Sequence, residues 1–78
     1  MKNARPLRRE GAFIRQCRQD LGYSQVQFAK LLRTSQSKLS KIEKGQSPIG
    51  IQDWFRFCKV TGVPLQRYWE FIADELPD

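Results

Sequence analysis

Gln36, Ser37, Lys38 and Lys41 are the side chains in this sequence whose types and spacing best suit molecular recognition. An amide, a hydroxyl and an ammonium on one edge of a helix are the groups that read base edges and phosphates. To present them together, the chain must hold a short helix by its opposite side. Leu39 and Ile42 supply that side, while Gln36, Ser37, Lys38 and Lys41 point elsewhere. Ser35 can cap this helix through its side-chain oxygen, and Gly45 after Lys44 suits a left-handed C-terminal stop.

A second short helix should precede it. Ser24 with Gln27 three residues on is a capping-box pattern, and Phe28, Ala29 and Leu32 fall on one helical face. Arg33-Thr34-Ser35 breaks the period and leaves a tight turn between the two helices.

The remaining elements look like supports. A first helix is expected from about Leu7 or Gly11 to Leu21, with Phe13, Ile14, Cys17 and Leu21 inward and Gly22 as its end. Gln46-Ser47-Pro48 is turn material. A fourth helix should begin near Gly50 and end by Gly62, with Ile51, Trp54, Phe55 and Cys58 at helical spacing and Phe57 nearby. Val63-Pro64 should open a fifth, with Pro64 at or beside its first position and a stripe of Leu65, Tyr68, Trp69, Ile72 and Leu76. Phe71 falls to one side of that stripe. No segment reads as a strand, so the expected fold is all-α: a compact five-helix bundle. The expected organisation is a basic lead-in over residues 1–10 and a single domain over residues 11–76.

The 78 residues suffice for one small core, burying about 60–65% of the unfolded surface. Charge divides the chain unevenly. Residues 1–44 carry eleven Lys and Arg against Glu10, Asp20 and Glu43, a balance of +8. Residues 45–78 carry Arg56, Lys59 and Arg67 against five acids, a balance of −2. The first half is therefore the candidate for a polyanion. Cys17 and Cys58 sit within apolar helical patterns and read as small buried residues of a reducing cytoplasm. With no histidine, a zinc site of the usual kind is not expected, and no cofactor or small-molecule ligand is indicated. Nothing approaches the ~20 apolar residues of a membrane helix. An enzyme is disfavoured as well, because there is no histidine, no Gly-rich phosphate loop and no convergent carboxylate pair.

The pattern Y-S-Q-x-x-F-A-x-x-L followed by x-S-x-S-x-L-S-x-I-E-x-G, with Ser24-Gln25, Ala29, Leu32, Ser35, Ile42-Glu43 and Gly45 in joint spacing, resembles the helix-turn-helix of the phage repressor/Cro-type (XRE-like) family. The likeness runs from about Phe13 to Trp69. It implies a lambda-repressor-like DNA-binding domain in a cytoplasmic protein of bacterial or phage origin. By this resemblance Gln36 would grip an adenine edge, Ser37 and Lys41 would read further base edges, and Ser40 lies one residue off that edge. Ser24 and Gln25, at the amino end of the first of the two helices, would hold phosphate. Lys38, Lys44, Arg15 and Arg33 are further phosphate candidates. Arg18 and Glu43 would form a structural ion pair between the first helix and the end of the recognition helix. Arg33 departs from the family, which often places glycine where the turn bends through positive φ; a non-glycine residue there costs roughly 1–2 kcal/mol, so either Arg33 accepts that strain to reach a phosphate or the turn is shaped slightly differently.

The C-terminal aromatic set reads in the main as the lid of the small core, and its remainder, Phe71 above all, as an exposed two-fold interface. The implied partner is double-stranded DNA, read by a homodimer whose candidate interface is Tyr68, Trp69, Phe71 and Ile72. A protein-interaction module, such as an antitoxin or adaptor using that aromatic surface, is the alternative. Arg5, Arg8 and Arg9 would serve either as a DNA-contacting arm or as a solubilising tail.

Overall fold

The computed structural model describes residues 8–72, with Ile72 described by its backbone alone. Arg5, Leu7, the Ile72 side chain and Leu76 therefore lie outside the described residues. Five helices follow in order: α1 Arg9–Asp20, α2 Gln25–Leu31, α3 Gln36–Glu43, α4 Ile51–Thr61 and α5 Arg67–Ile72. The first begins two residues before the expected domain boundary, and it buries Glu10 as well as Gly11.

Three of these helices stop in the same way. After α1, Gly22 N–H donates to Gln19 and Tyr23 N–H to Arg18; after α3, Gly45 donates to Ile42 and Gln46 to Lys41. After α2, Arg33 donates to Lys30 and Thr34 to Ala29. These paired bonds satisfy the last carbonyls of each helix and need a left-handed residue at the pivot. Glycine fills that place after α1 and α3, while Arg33 adopts φ 57 after α2. The turn thus keeps the expected shape and accepts the strain of a side chain in it.

The core gathers Ile14, Phe28, Leu32, Leu39, Ile42, Ile49, Trp54 and Phe57, all fully buried, with Ala29 and Cys58 beside them. Its aromatic centre is edge-to-face at Phe28 and Phe57, whose centroids are 6.1 Å apart, and tilted at Trp54 and Phe57, 5.0 Å apart. Such pairs add to the area they bury because ring edges meet ring faces. Ile49, in the connection before α4, is part of this core although no helical period marked it.

Several inward assignments are corrected. Leu21 is exposed, because it caps α1 rather than lying within it. On α4 the buried face is Asp53, Trp54, Phe57 and Cys58, whereas Ile51 and Phe55 are exposed. Both candidate stripes share Trp54 and Cys58, and docking against Phe28 selects the one containing Phe57. Helix α5 begins at Arg67, not at Pro64. Residues 64–69 are joined by bonds from Arg67 N–H to Pro64, Tyr68 to Leu65 and Trp69 to Gln66. Tyr68 and Phe71, three residues apart on one face of α5, pack on the core, and Leu65 and Trp69 are exposed. Phe71 lies 5.3 Å from Phe13 and 6.2 Å from Trp54, so it is a partly buried support instead of the exposed aromatic expected. Two polar bonds fix the segment: Trp54 indole N–H donates to Leu65 carbonyl at 3.0 Å and Tyr68 hydroxyl to Ile49 carbonyl at 3.2 Å.

Helix α1 meets the end of α3 at very close range. A Cβ on Gly11 would collide with the Ile42 carbonyl oxygen and stand 2.9 Å from that of Glu43 and 3.0 Å from the Gly45 nitrogen. Arg8 N–H also donates to Gly45 carbonyl at 3.2 Å. Only a residue without a side chain lets the two backbones approach this way.

Candidate nucleic-acid interface

Both helices of the central pair start on side-chain caps. Ser24 Oγ accepts from Gln27 N–H at 3.1 Å and Gln27 Oε1 accepts from Ser24 N–H at 2.9 Å, completing the reciprocal box. Ser35 Oγ accepts from Lys38 N–H at 3.1 Å and starts α3. Leu39 and Ile42 then root α3 in the core. With one side so anchored, the opposite side is left to solvent.

That outer side forms a shallow, open depression of about 350 Å³ lined by Gln36, Ser37, Ser40, Lys41, Lys44 and Gln46. Gln36, Ser37, Lys41, Lys44 and Gln46 are exposed and Ser40 is half-buried. The three residues expected to read bases thus stand together, with Ser40 and Gln46 beside them. Gln46 was not among the residues singled out from sequence. It lies beyond the helix, where no periodicity applies, and only the reversal at Gly45 brings it back.

Beneath this surface lies a buried polar network. Arg18 donates from Nε to Glu43 Oε2 at 2.7 Å and from Nη2 to Oε1 at 3.0 Å, and from Nη1 to the Tyr23 carbonyl at 2.8 Å. The two charged side chains are 11% and 2% exposed. Gln25 Nε2 also donates to Glu43 Oε1 at 3.0 Å. The amide expected to face a phosphate is therefore held from behind by a carboxylate, which fixes its orientation. This network joins α1, the start of α2 and the end of α3, so it sets the angle between the helices of the pair.

Lys38 is engaged too. Its Nζ lies 3.0 Å from Asp53 Oδ2 on α4, while Arg56 Nη1 contacts Asp53 Oδ1 at 3.2 Å. Lys38 is largely exposed and Asp53 largely buried, so the contact tethers α3 to α4 and partly offsets the Lys38 charge. Such a half-exposed pair stabilises by about 0.2–1 kcal/mol. Asp53 carried no sequence signal beyond its place in the first turn of α4. Arg15, Arg33 and Lys44 are exposed, and Ser24 is occupied by its capping bonds.

The cysteines stand apart from this surface. Burial, with a smaller push from Asp20, raises the Cys17 thiol above its ordinary range against an opposing pull from Arg67; burial alone raises Cys58. Among the described residues no cluster of His, Cys, Asp and Glu could hold a metal ion, and no helix is long and apolar enough to cross a membrane.

Two capped helices set at a fixed angle by a left-handed turn, the second bearing exposed hydrogen-bonding tips, define a helix-turn-helix. A profile of the helix-turn-helix domain family matches residues 11–67, and the chain belongs to that family. The family and fold are those of transcription regulators, not of enzymes. Among solved structures, the chain is similar to the clp gene regulator ClgR from Corynebacterium glutamicum in two crystal structures. One aligns with a TM-score of 0.68 at 27% identity over 94% of this chain and 97% of the other. The second aligns with a TM-score of 0.70 at 27% identity over 92% and 79%. The search of curated proteins returns no match.

Proposed function

We propose that this protein is a sequence-specific transcriptional regulator that inserts α3 into the major groove of double-stranded DNA. The observation that carries this reading is the depression lined by Gln36, Ser37 and Lys41 on an exposed, core-anchored helix. The major groove, about 12 Å wide, admits a helix. Gln36 is suited to adenine N6 and N7, and Lys41 to guanine O6 and N7, while Ser37 suits either kind of acceptor or donor. Lys44, Arg15 and Arg33 supply charge to the phosphates around it. Ser24 and Gln25 lie at the amino end of α2, where Gln25, steadied by Glu43, turns its remaining amide capacity to the same backbone. Lys38 joins the phosphate contacts only by leaving Asp53. Each phosphate neutralised steepens the fall of log K with log salt by about 0.9.

The protein acts as a homodimer on a palindromic operator, with half-sites about one helical turn, ~34 Å, apart. Trp69, 65% exposed on α5 with the Tyr68 ring edge-on to it at 6.2 Å, supports an interface there. Because Phe71 props the core, Trp69→Asp is the probe of that surface, and it should shift sedimentation from dimer to monomer with the helical circular dichroism unchanged. The setting is cytoplasmic and no cofactor or small-molecule ligand is required.

Selection from a random DNA pool tests the whole reading. A palindromic motif is expected, with binding to it lost in Gln36→Ala/Lys41→Ala. A pool that returns no enriched sequence, or binding that survives both substitutions, defeats the proposal.

A further inference from the structure

We infer that Gln46, beyond the end of the recognition helix, is a fourth base-reading residue and recognises an adenine. The inference rests on the major-groove reading above. Helix α3 ends at Glu43, and its outward residues from Gln36 to Lys44 span about 12 Å at 1.5 Å per residue. At 3.4 Å per base pair, that reach covers only three to four pairs. Gln46 extends it. Gly45 at φ 78 reverses the chain, and Gln46 N–H donates to the Lys41 carbonyl at 2.9 Å. This bond pins the Gln46 backbone to the same turn of helix that carries Lys41, so its side chain lines the depression together with Gln36 and Lys41.

Four features favour a base edge over a phosphate. The side chain is exposed and, among the described residues, makes no hydrogen bond of its own, so the amide is available on both its donor and acceptor sides. A glutamine amide matches adenine N7 and N6 as a bidentate pair. A neutral amide also gains less than a neighbouring ammonium from phosphate, and Lys44 already stands on the same rim. The backbone bond to Lys41 gives the position the fixed placement that base reading needs.

The test compares DNA selected from a random pool by the full-length wild type, by Gln46→Ala and by Gln46→Glu, each checked for native circular dichroism. Wild type is expected to enrich an adenine at one position that Gln46→Ala no longer specifies, with preference there falling about 5- to 100-fold and the other positions retained. Gln46→Glu should replace that adenine by cytosine, since a carboxylate accepts from cytosine N4. A purely structural or phosphate-binding role does not produce that switch. If Gln46→Ala weakens all sequences equally, or leaves the motif intact, Gln46 is not a base reader although the major-groove reading stands. If wild type itself enriches no motif, both fall together.

Discussion

Removing the Glu43 carboxylate is the sharpest perturbation of this fold. In Glu43→Ala, two hydrogen bonds from Arg18 and one from Gln25 vanish. The Arg18 guanidinium stays 11% exposed with only the Tyr23 carbonyl to face. Breaking one side of a buried ion pair costs about 3–5 kcal/mol, because the surviving charge remains desolvated. A chain of this length has a total stability of roughly 4–12 kcal/mol, so a large share is lost. With a urea slope of about 1 kcal/mol per molar, the low end for small proteins, the unfolding midpoint should fall by about 3 M or more. Arg18→Met/Glu43→Leu, which removes both charges and refills the space, should return to within about 1–2 kcal/mol of wild type. Arg18→Met and Glu43→Leu, each made singly, complete the double-mutant cycle. A single-mutant cost below ~1 kcal/mol, or a coupling energy below ~0.5 kcal/mol, would refute the view that this pair braces α1 against α3.

Three further outcomes are expected. Gly11→Ala forces α1 off the α3 backbone, costing about 1–3 kcal/mol or more, and should lower both the urea midpoint and the affinity for DNA because α3 tilts with it. Arg33→Gly removes the strain of a side chain at φ 57, so it should raise the stability by up to about 1 kcal/mol, read as a higher urea midpoint, once glycine's extra unfolded-state entropy is counted; if Arg33 also holds a phosphate, the salt slope of binding drops by about 0.9. The raised thiols of Cys17 and Cys58 should react with a disulfide reagent far more slowly in the native protein than in urea. Their neutral forms are favoured by folding. They therefore contribute stability that is fully present below the ordinary thiol range and is lost as pH rises through and beyond it, which a series of urea melts toward alkaline pH should show.

The local grammar of this protein was legible in the sequence. Ser24 and Ser35 as caps, Gly22, Gly45 and Gly62 as stops, and the Phe28-Ala29-Leu32 and Leu39-Ile42 faces depend on residues within one or two turns of each other, and short-range sterics and hydrogen bonds settle them. The polar face of Gln36, Ser37, Lys38 and Lys41 followed from the same periodicity, and the resemblance to the family narrowed it to Gln36, Ser37 and Lys41. What periodicity could not decide was which of two overlapping apolar stripes is buried. On α4 that choice went to Phe57 over Ile51 and Phe55, and on α5 to Phe71 over Leu65 and Trp69, because each helix docks against rings contributed from elsewhere in the chain. The same holds for Gly11 against the Ile42 carbonyl, Asp53 against Lys38, and Gln46 beside Lys41. These are contacts between backbone and side chains from separate elements, and their geometry exists only once the helices have packed.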